Sequence, residues 1–343
     1  MKKAILVILP IIFTAQACNF LFGDLYGDQG SGNRGVYSSV DGAATWQAAN
    51  TTTKKGGLNG TDVSRVVVEQ GDPSNILLTT QNQGVFGSDT SGEKWIQLLP
   101  DFSAYDAAVN PLNPEEIFVA GAKNKLAAVY KSPDRAGTWV QVYSEPAGPS
   151  VVTSLLLDTK SSGVIYGGLS TGAVIKSVDG GETWKVVANF KDRVMTLVAG
   201  FDSVRTLYAL TRSAGLHRSS DAGKTWSKVV ITEESKIHYD IGLDKKNPSA
   251  AYVATDKGLF ATSDDARTWS KLSLPASPQF NSVTAVAVNH DNSQQVIAAI
   301  RSTIYRSDDR GATWRTANLP TRRTVYSISI NPLEPNRVYV GVR

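Results

Sequence analysis

The 343-residue chain has one cysteine, three histidines and two methionines. A lone cysteine, Cys18, excludes an intramolecular disulfide, so stability has to come from packing. The histidines, His217, His238 and His290, are widely spaced and lack the cysteine or carboxylate pattern of a zinc site. No glycine-rich phosphate loop and no nucleophile elbow occurs. These absences lead us to expect no metal and no cofactor. Charge is nearly balanced: the formal excess is +4, half of it from Lys2 and Lys3. That gives no case for nucleic acid, and any basic surface has to be local. No long amphipathic helical pattern appears after residue 20, whereas the 29 glycines and 12 tyrosines suit many short strands and turns.

What is present is a repeat. All seven tryptophans, Trp46, Trp95, Trp139, Trp184, Trp226, Trp269 and Trp314, lie 42 to 49 residues apart in one local context. The motif ahead of each is Ser-x-Asp-x-Gly-x-Thr-Trp. It is complete at Ser177–Trp184, Ser219–Trp226 and Ser307–Trp314; Ala43, Ala136 and Ala266 replace the glycine elsewhere, and Thr262 replaces one serine. The second copy is the most eroded, with Thr90 for Asp and Lys94 for Thr. A period of this length belongs to four-stranded propeller blades. The carboxylates of Asp41, Asp134, Asp179, Asp221, Asp264 and Asp309 are read as turn braces, because a short carboxylate can accept several nearby backbone N–H groups. Glycine then supplies a left-handed conformation.

The termini determine the expected closure. The first copy has the last two strands of a blade with none before them, and residues 324–342 supply the first two strands of another. Joined, they complete a seventh blade and protect both terminal edges. The fold expected is all-β, a seven-bladed propeller over 34–343.

Residues 1–17 read as a signal peptide: Lys2-Lys3, an apolar stretch from Ala4 to Ala15, and the small-residue site Ala15-Gln16-Ala17. Cys18 follows that site directly. This resembles a bacterial lipoprotein, in which the cysteine is lipidated; simple secretion is the alternative. Residues 18–33 are then a linker, and the protein is expected outside the cytoplasm, with membrane contact through a lipid on Cys18 if it is lipidated.

The repeats resemble the Asp-box (BNR) propeller superfamily, which includes sialidases, xyloglucanases, sortilin-type receptors and the photosystem II stability/assembly factors. Size and layout resemble the assembly factors best, and that resemblance implies an exported ring with an arginine-rich partner surface. The enzyme branches fit less well. The sialidase Arg-Ile-Pro motif is missing, and xyloglucanases place their cleft between two tandem propellers, whereas these repeats make one ring.

Two candidate sites follow. On the loop face opposite the Asp boxes the strand order places Lys54, Lys55, Lys123, Lys125, Arg193, Arg212, Lys236, Lys257, Arg301, Arg322 and Arg323. Asp62, Asp101, Asp192, Glu233, Glu234 and Asp256 share that face. On the innermost strands one column reads Arg65, Asp106, Ser154, Thr196, Asp240, Ala285 and Ser327, preceded by Tyr105, Tyr239 and Tyr326. Asp106 and Asp240 fall nearly across the channel. They are either acid and base for glycoside hydrolysis or a hydrated channel lining with Arg65 balancing charge. The expectation is a monomeric, non-catalytic scaffold that docks a protein partner, membrane-associated or not, through the loop face. The alternative is a glycoside hydrolase or carbohydrate-binding propeller.

Overall fold

The computed structural model describes residues 33–53, 57–145, 148–200, 205–232, 235–277, 279 and 281–343. The signal peptide and Cys18, like Lys54, Lys55, Glu233 and Glu234, lie outside the described residues. The described chain forms seven four-stranded antiparallel sheets, a seven-bladed propeller of Asp-box repeats. Blades one to six occupy residues 63–99, 103–144, 152–189, 194–229, 238–271 and 285–318 in order. The seventh is composite, as expected from the termini. Strands Val325–Ile330 and Val338–Val342 join Gly35–Ser39 and Gln47–Ala48, with Gly35 opposite Val342 and Ser39 opposite Val338.

Each Trp immediately precedes the outermost strand of its blade, and the box before it makes the turn. In the third blade Ser177 Oγ donates to Asp179 Oδ1 at 2.7 Å and accepts the Gly181 N–H at 2.9 Å. Asp179 Oδ1 also accepts the Thr183 N–H at 2.9 Å, and Oδ2 accepts the Thr183 hydroxyl. The Thr183 hydroxyl and N–H hold the carboxyl of Asp179 down at about 2; matching threonine bonds do the same for Asp41, Asp221, Asp264 and Asp309. In the eroded second copy the Thr90 hydroxyl accepts the Lys94 N–H at 3.1 Å, so a hydroxyl stands in for the carboxylate.

The box differs from expectation in one respect. Two consecutive residues are left-handed, not one: Gly180 and Gly181 in the third blade, Arg135 and Ala136 in the second, Asp265 and Ala266 in the fifth, and Arg310 and Gly311 in the sixth. The Ser and Asp side chains supply enough local hydrogen bonds to hold Arg, Asp and Ala where glycine alone is comfortable.

The hydrophobic core is seven seams between neighbouring blades. Phe118, Ala120 and Val129 of the second blade pack on Val152, Leu155 and Ile175 of the third. The first blade's Trp95, Val63, Ile76 and Phe86 pack on Val36 and Tyr339 of the seventh. Two sets of polar links reinforce the seams. Near the boxes, tyrosines of second strands reach the next blade: Tyr166 donates to Ala222 O, Tyr208 to Asp265 Oδ1, and Tyr339 to Ser91 O, at 2.8 to 3.1 Å. The second set lies at the channel and builds the central site. Among the described residues no helix is long and apolar enough to cross a membrane.

Candidate functional site

Every innermost strand but that of the sixth blade shifts register just before its column residue, between Val63 and Arg65, Ala104 and Asp106, Val152 and Ser154, Val194 and Thr196, His238 and Asp240, and Val325 and Ser327. A bulge leaves a residue unpaired and re-aims the chain. Tyr105, Tyr239 and Tyr326 are such bulge residues, as are Thr153 and Met195. In four of these six strands the side chain after the bulge stitches to the next blade. Ser154 Oγ accepts the Leu197 N–H and Ser327 Oγ accepts the Val66 N–H, both at 3.0 Å.

Asp106 and Asp240 make the same stitch with carboxylates. Asp106 accepts the Ala107 N–H on Oδ1 and the Leu155 N–H on Oδ2, each at 2.9 Å. Asp240 accepts the Ile241 N–H at 3.0 Å and the Val286 N–H at 3.2 Å. Arg65 lies between them, with Nε 3.7 Å from Asp106 Oδ1 and Nη1 3.9 Å from Asp240 Oδ1. These are Coulombic separations, too long for hydrogen bonds. Burial pushes both carboxyls above their ordinary value, while Arg65 and the backbone N–H groups oppose the rise. Burial works against the charge on Arg65 too, but the two carboxylates outweigh it and raise its pKa. All four carboxylate oxygens therefore have partners within the ring.

Above this floor is the channel mouth. Arg193 lies over the Tyr105 ring, 5.5 Å from its centroid, and Arg343 over the Tyr326 ring at 4.7 Å. Arg343 also donates to Val63 O at 3.0 Å, and Arg193 is close enough to repel it. Burial raises the Tyr239 hydroxyl pKa, with Ser282, Tyr326, Asp256 and Arg212 in its surroundings. The mouth thus gathers Arg193, Arg212, Tyr105, Tyr239 and Tyr326 of the predicted residues and adds Arg343. Sequence reasoning named its counterparts directly after the second strands of the fourth and sixth blades, Arg212 and Arg301, but passed over Arg343 itself. Arg301 lies between the second and third strands of the sixth blade, where its carbonyl accepts the Val325 N–H; Arg322 and Arg323 lie on the loop from the sixth blade into Val325–Ile330, and Arg322 is exposed.

An open groove of about 610 Å³ runs from Tyr105 across the loops of the first three blades, lined by Gln81, Asn82, Asn124, Lys125, Ser150 and Ser170 among others. Of these, Tyr105 and Lys125 were singled out from sequence; the neutral loop residues were not, because they carry no period.

Charge is arranged differently on the two faces. Among the described residues, most ion pairs lie on the Asp-box side, Lys131 with Glu116, Arg135 with Glu69 and Glu115, Arg218 with Asp265, and Arg306 with Asp308, although Lys94, Lys224, Arg267 and Arg310 there have no described carboxylate within 4.0 Å. On the loop face Arg34 and Asp62 pair, at 2.9 Å. Of the other acids there, Asp101 is exposed, whereas Asp192 and Asp256 are engaged by the backbone. Asp192 Oδ2 accepts the Ser213 and Ala214 N–H groups, and Asp256 Oδ1 accepts the Ser235 hydroxyl and the Lys236 and Ile237 N–H groups. Lys125, Arg193, Arg212, Lys236, Lys257 and Arg322 have no described carboxylate within 4.0 Å. No cluster of three or more His, Cys, Asp or Glu suited to a metal occurs among the described residues.

Two family models match parts of the chain. One, described as sortilin, neurotensin receptor 3, matches residues 214–302, and the DUF6242 beta propeller domain matches residues 100–237. A probable oligoxyloglucan reducing-end-specific xyloglucanase of Neosartorya fischeri is 28% identical over 149 residues, which are 39% of this chain and 17% of that protein. Among solved structures, a GH74 enzyme of Niastella koreensis superposes with a TM-score of 0.69 at 17% identity, covering 89% of this chain and 52% of that one. YCF48 bound to D1 peptide superposes with a TM-score of 0.62 at 13% identity, covering 82% of this chain and 94% of that one. The chain thus spans a fifth or less of the xyloglucanase and about half of the GH74 structure. At these identities the superpositions show the shared propeller fold.

Proposed function

We propose that this ring is an exported, non-catalytic scaffold that docks a protein partner of acidic character through the loop face opposite the Asp boxes. The observation that carries the reading is the charge arrangement: Asp192 and Asp256 are spent on backbone N–H groups, while Lys125, Arg193, Arg212, Lys236, Lys257 and Arg322 have no described carboxylate within 4.0 Å. Such a surface attracts anionic groups and steers their approach. A rigid ring holding many loops in fixed positions suits recognition. The similarity in span to YCF48, a propeller solved with a peptide, is consistent with this reading. Export rests on residues 1–17, and attachment to a membrane on a lipid at Cys18.

Reversing charge with Arg193→Glu and Arg322→Glu is expected to abolish salt-sensitive capture of the partner from a membrane extract. The thermal midpoint should stay within about 2 °C of the parent, since these are surface changes. Capture profiles identical to those of the parent protein would overturn the proposal. The second reading is a neutral glycan held in the groove, supported by its amide and hydroxyl lining beside Tyr105 and by the similarity to xyloglucanases. Binding to a xyloglucan oligosaccharide that survives the two reversals, with no partner captured, would favour it.

A further inference from the structure

Arg65 belongs to the first blade, Asp106 to the second and Asp240 to the fifth. In a ring of seven, the first and fifth blades are three apart by the shorter way round, the widest separation available. A side chain within ion-pair distance of both therefore spans the channel. Each carboxylate is 6–7% exposed as a residue, whereas the Arg65 side chain keeps 35% of its surface open. One guanidinium thus serves two buried anions from a position that the channel still reaches. Its planar fork suits this task, because separate nitrogens can face opposite partners. The same two strands carry Tyr105 and Tyr239, whose bulges immediately precede the two aspartates.

We propose that Arg65 is a positioning residue, a cross-channel brace that holds Asp106 and Asp240 ionised from opposite walls and fixes the tyrosine-bearing bulges of the mouth, and that the ring needs this brace at neutral pH and not in acid. This brace is independent of what the loop face binds. The groups that face it are few. Tyr105, Tyr239, Tyr326, Arg193 and Arg343 lie at the mouth above, and Ser154 adds a side-chain hydrogen bond to Asp106.

The sign of the pH effect follows from linkage. A carboxyl raised in the folded state contributes stability that is fully present below its unfolded pKa and is lost as pH rises through the folded value. The ionised pair therefore burdens the ring at neutral pH, and Arg65 offsets that burden. Removing Arg65 raises both carboxyls further and enlarges the burden at neutral pH only. Below the carboxylate range, about pH 4, both are protonated with or without Arg65, and the difference closes. The box aspartates, held near 2, titrate lower still.

The test compares thermal midpoints and amide exchange of the full chain, Arg65→Met and Arg65→Lys, across this range. Arg65→Met should lower the midpoint by several degrees at neutral pH, with faster exchange at residues 105–107 and 239–241. Both differences should shrink toward zero in acid. Arg65→Lys, which keeps the charge without the fork, should fall between. If Arg65→Met is unfolded at neutral pH, folding regained in acid supports the brace. A deficit of equal size at both pH values would overturn it, as would no deficit at either or failure to fold at both.

Discussion

Replacing Trp95 with alanine lowers the stability of the ring by about 3–5 kcal/mol, the usual range for emptying a buried tryptophan site. Trp95 is the one tryptophan of the seven that is wholly buried. Its ring fills the seam between the first and seventh blades, among Val36, Leu58, Val63, Phe86 and Tyr339. Its indole N–H donates to Ala49 O at 2.7 Å, tying that seam to the chain segment after the outer strand of the seventh blade. The loss is a large fraction of a typical folding free energy and should lower the melting temperature by about 10 °C. Trp269→Ala is the control. It is partly exposed, and its indole N–H has no partner among the described residues, so less is lost. Equal losses at the two positions in a thermal melt would contradict the ranking.

Removing residues 338–343 should abolish cooperative folding. The deletion takes away the strand Val338–Val342, which pairs with Val325–Ile330 on one side and Gly35–Ser39 on the other. It also removes the Tyr339 hydroxyl bond to Ser91 O and the fully buried side chains of Val338, Tyr339, Val340 and Val342. Two strand edges are then left open, which favours aggregation over a six-bladed ring. Loss of near-ultraviolet circular dichroism together with loss of solubility is the expected result. A soluble product with a sharp melt close to that of the full chain would show that closure matters little.

The repeat was legible because its signals are local and chemically distinctive: a tryptophan, a carboxylate two residues after a serine, a threonine four residues beyond. Ring closure was legible because strand pairs could be counted at both ends. The bulges were not. They depend on how an innermost strand meets the next blade, and nothing in Ser-Arg or Tyr-Asp announces an unpaired residue. The column Arg65, Asp106, Ser154, Asp240 and Ser327 could be written down from an alignment of repeats. Its stitching role could not, because the backbone N–H that each serine or aspartate accepts lies some 40 residues away or more. The Tyr166, Tyr208 and Tyr339 latches did carry a periodic signal, a tyrosine second in its strand, which went unread beside the stronger tryptophan. Arg343 shares its repeat position with Arg212 and Arg301, whereas the neutral groove residues carried no signal.

The account rests on a division of labour between two faces, braces on one and recognition on the other. The most direct measurement places a photo-crosslinking residue singly at Lys125 and Arg322 on the loop face, and at Val178 and Leu333 on the Asp-box face, where exposed aliphatic side chains offer matched controls. Irradiated in the native membrane extract, the loop-face positions should give a discrete covalent adduct that is lost when Arg193 is reversed, and the Asp-box positions should give none. Adducts from Val178 or Leu333 alone would contradict the account.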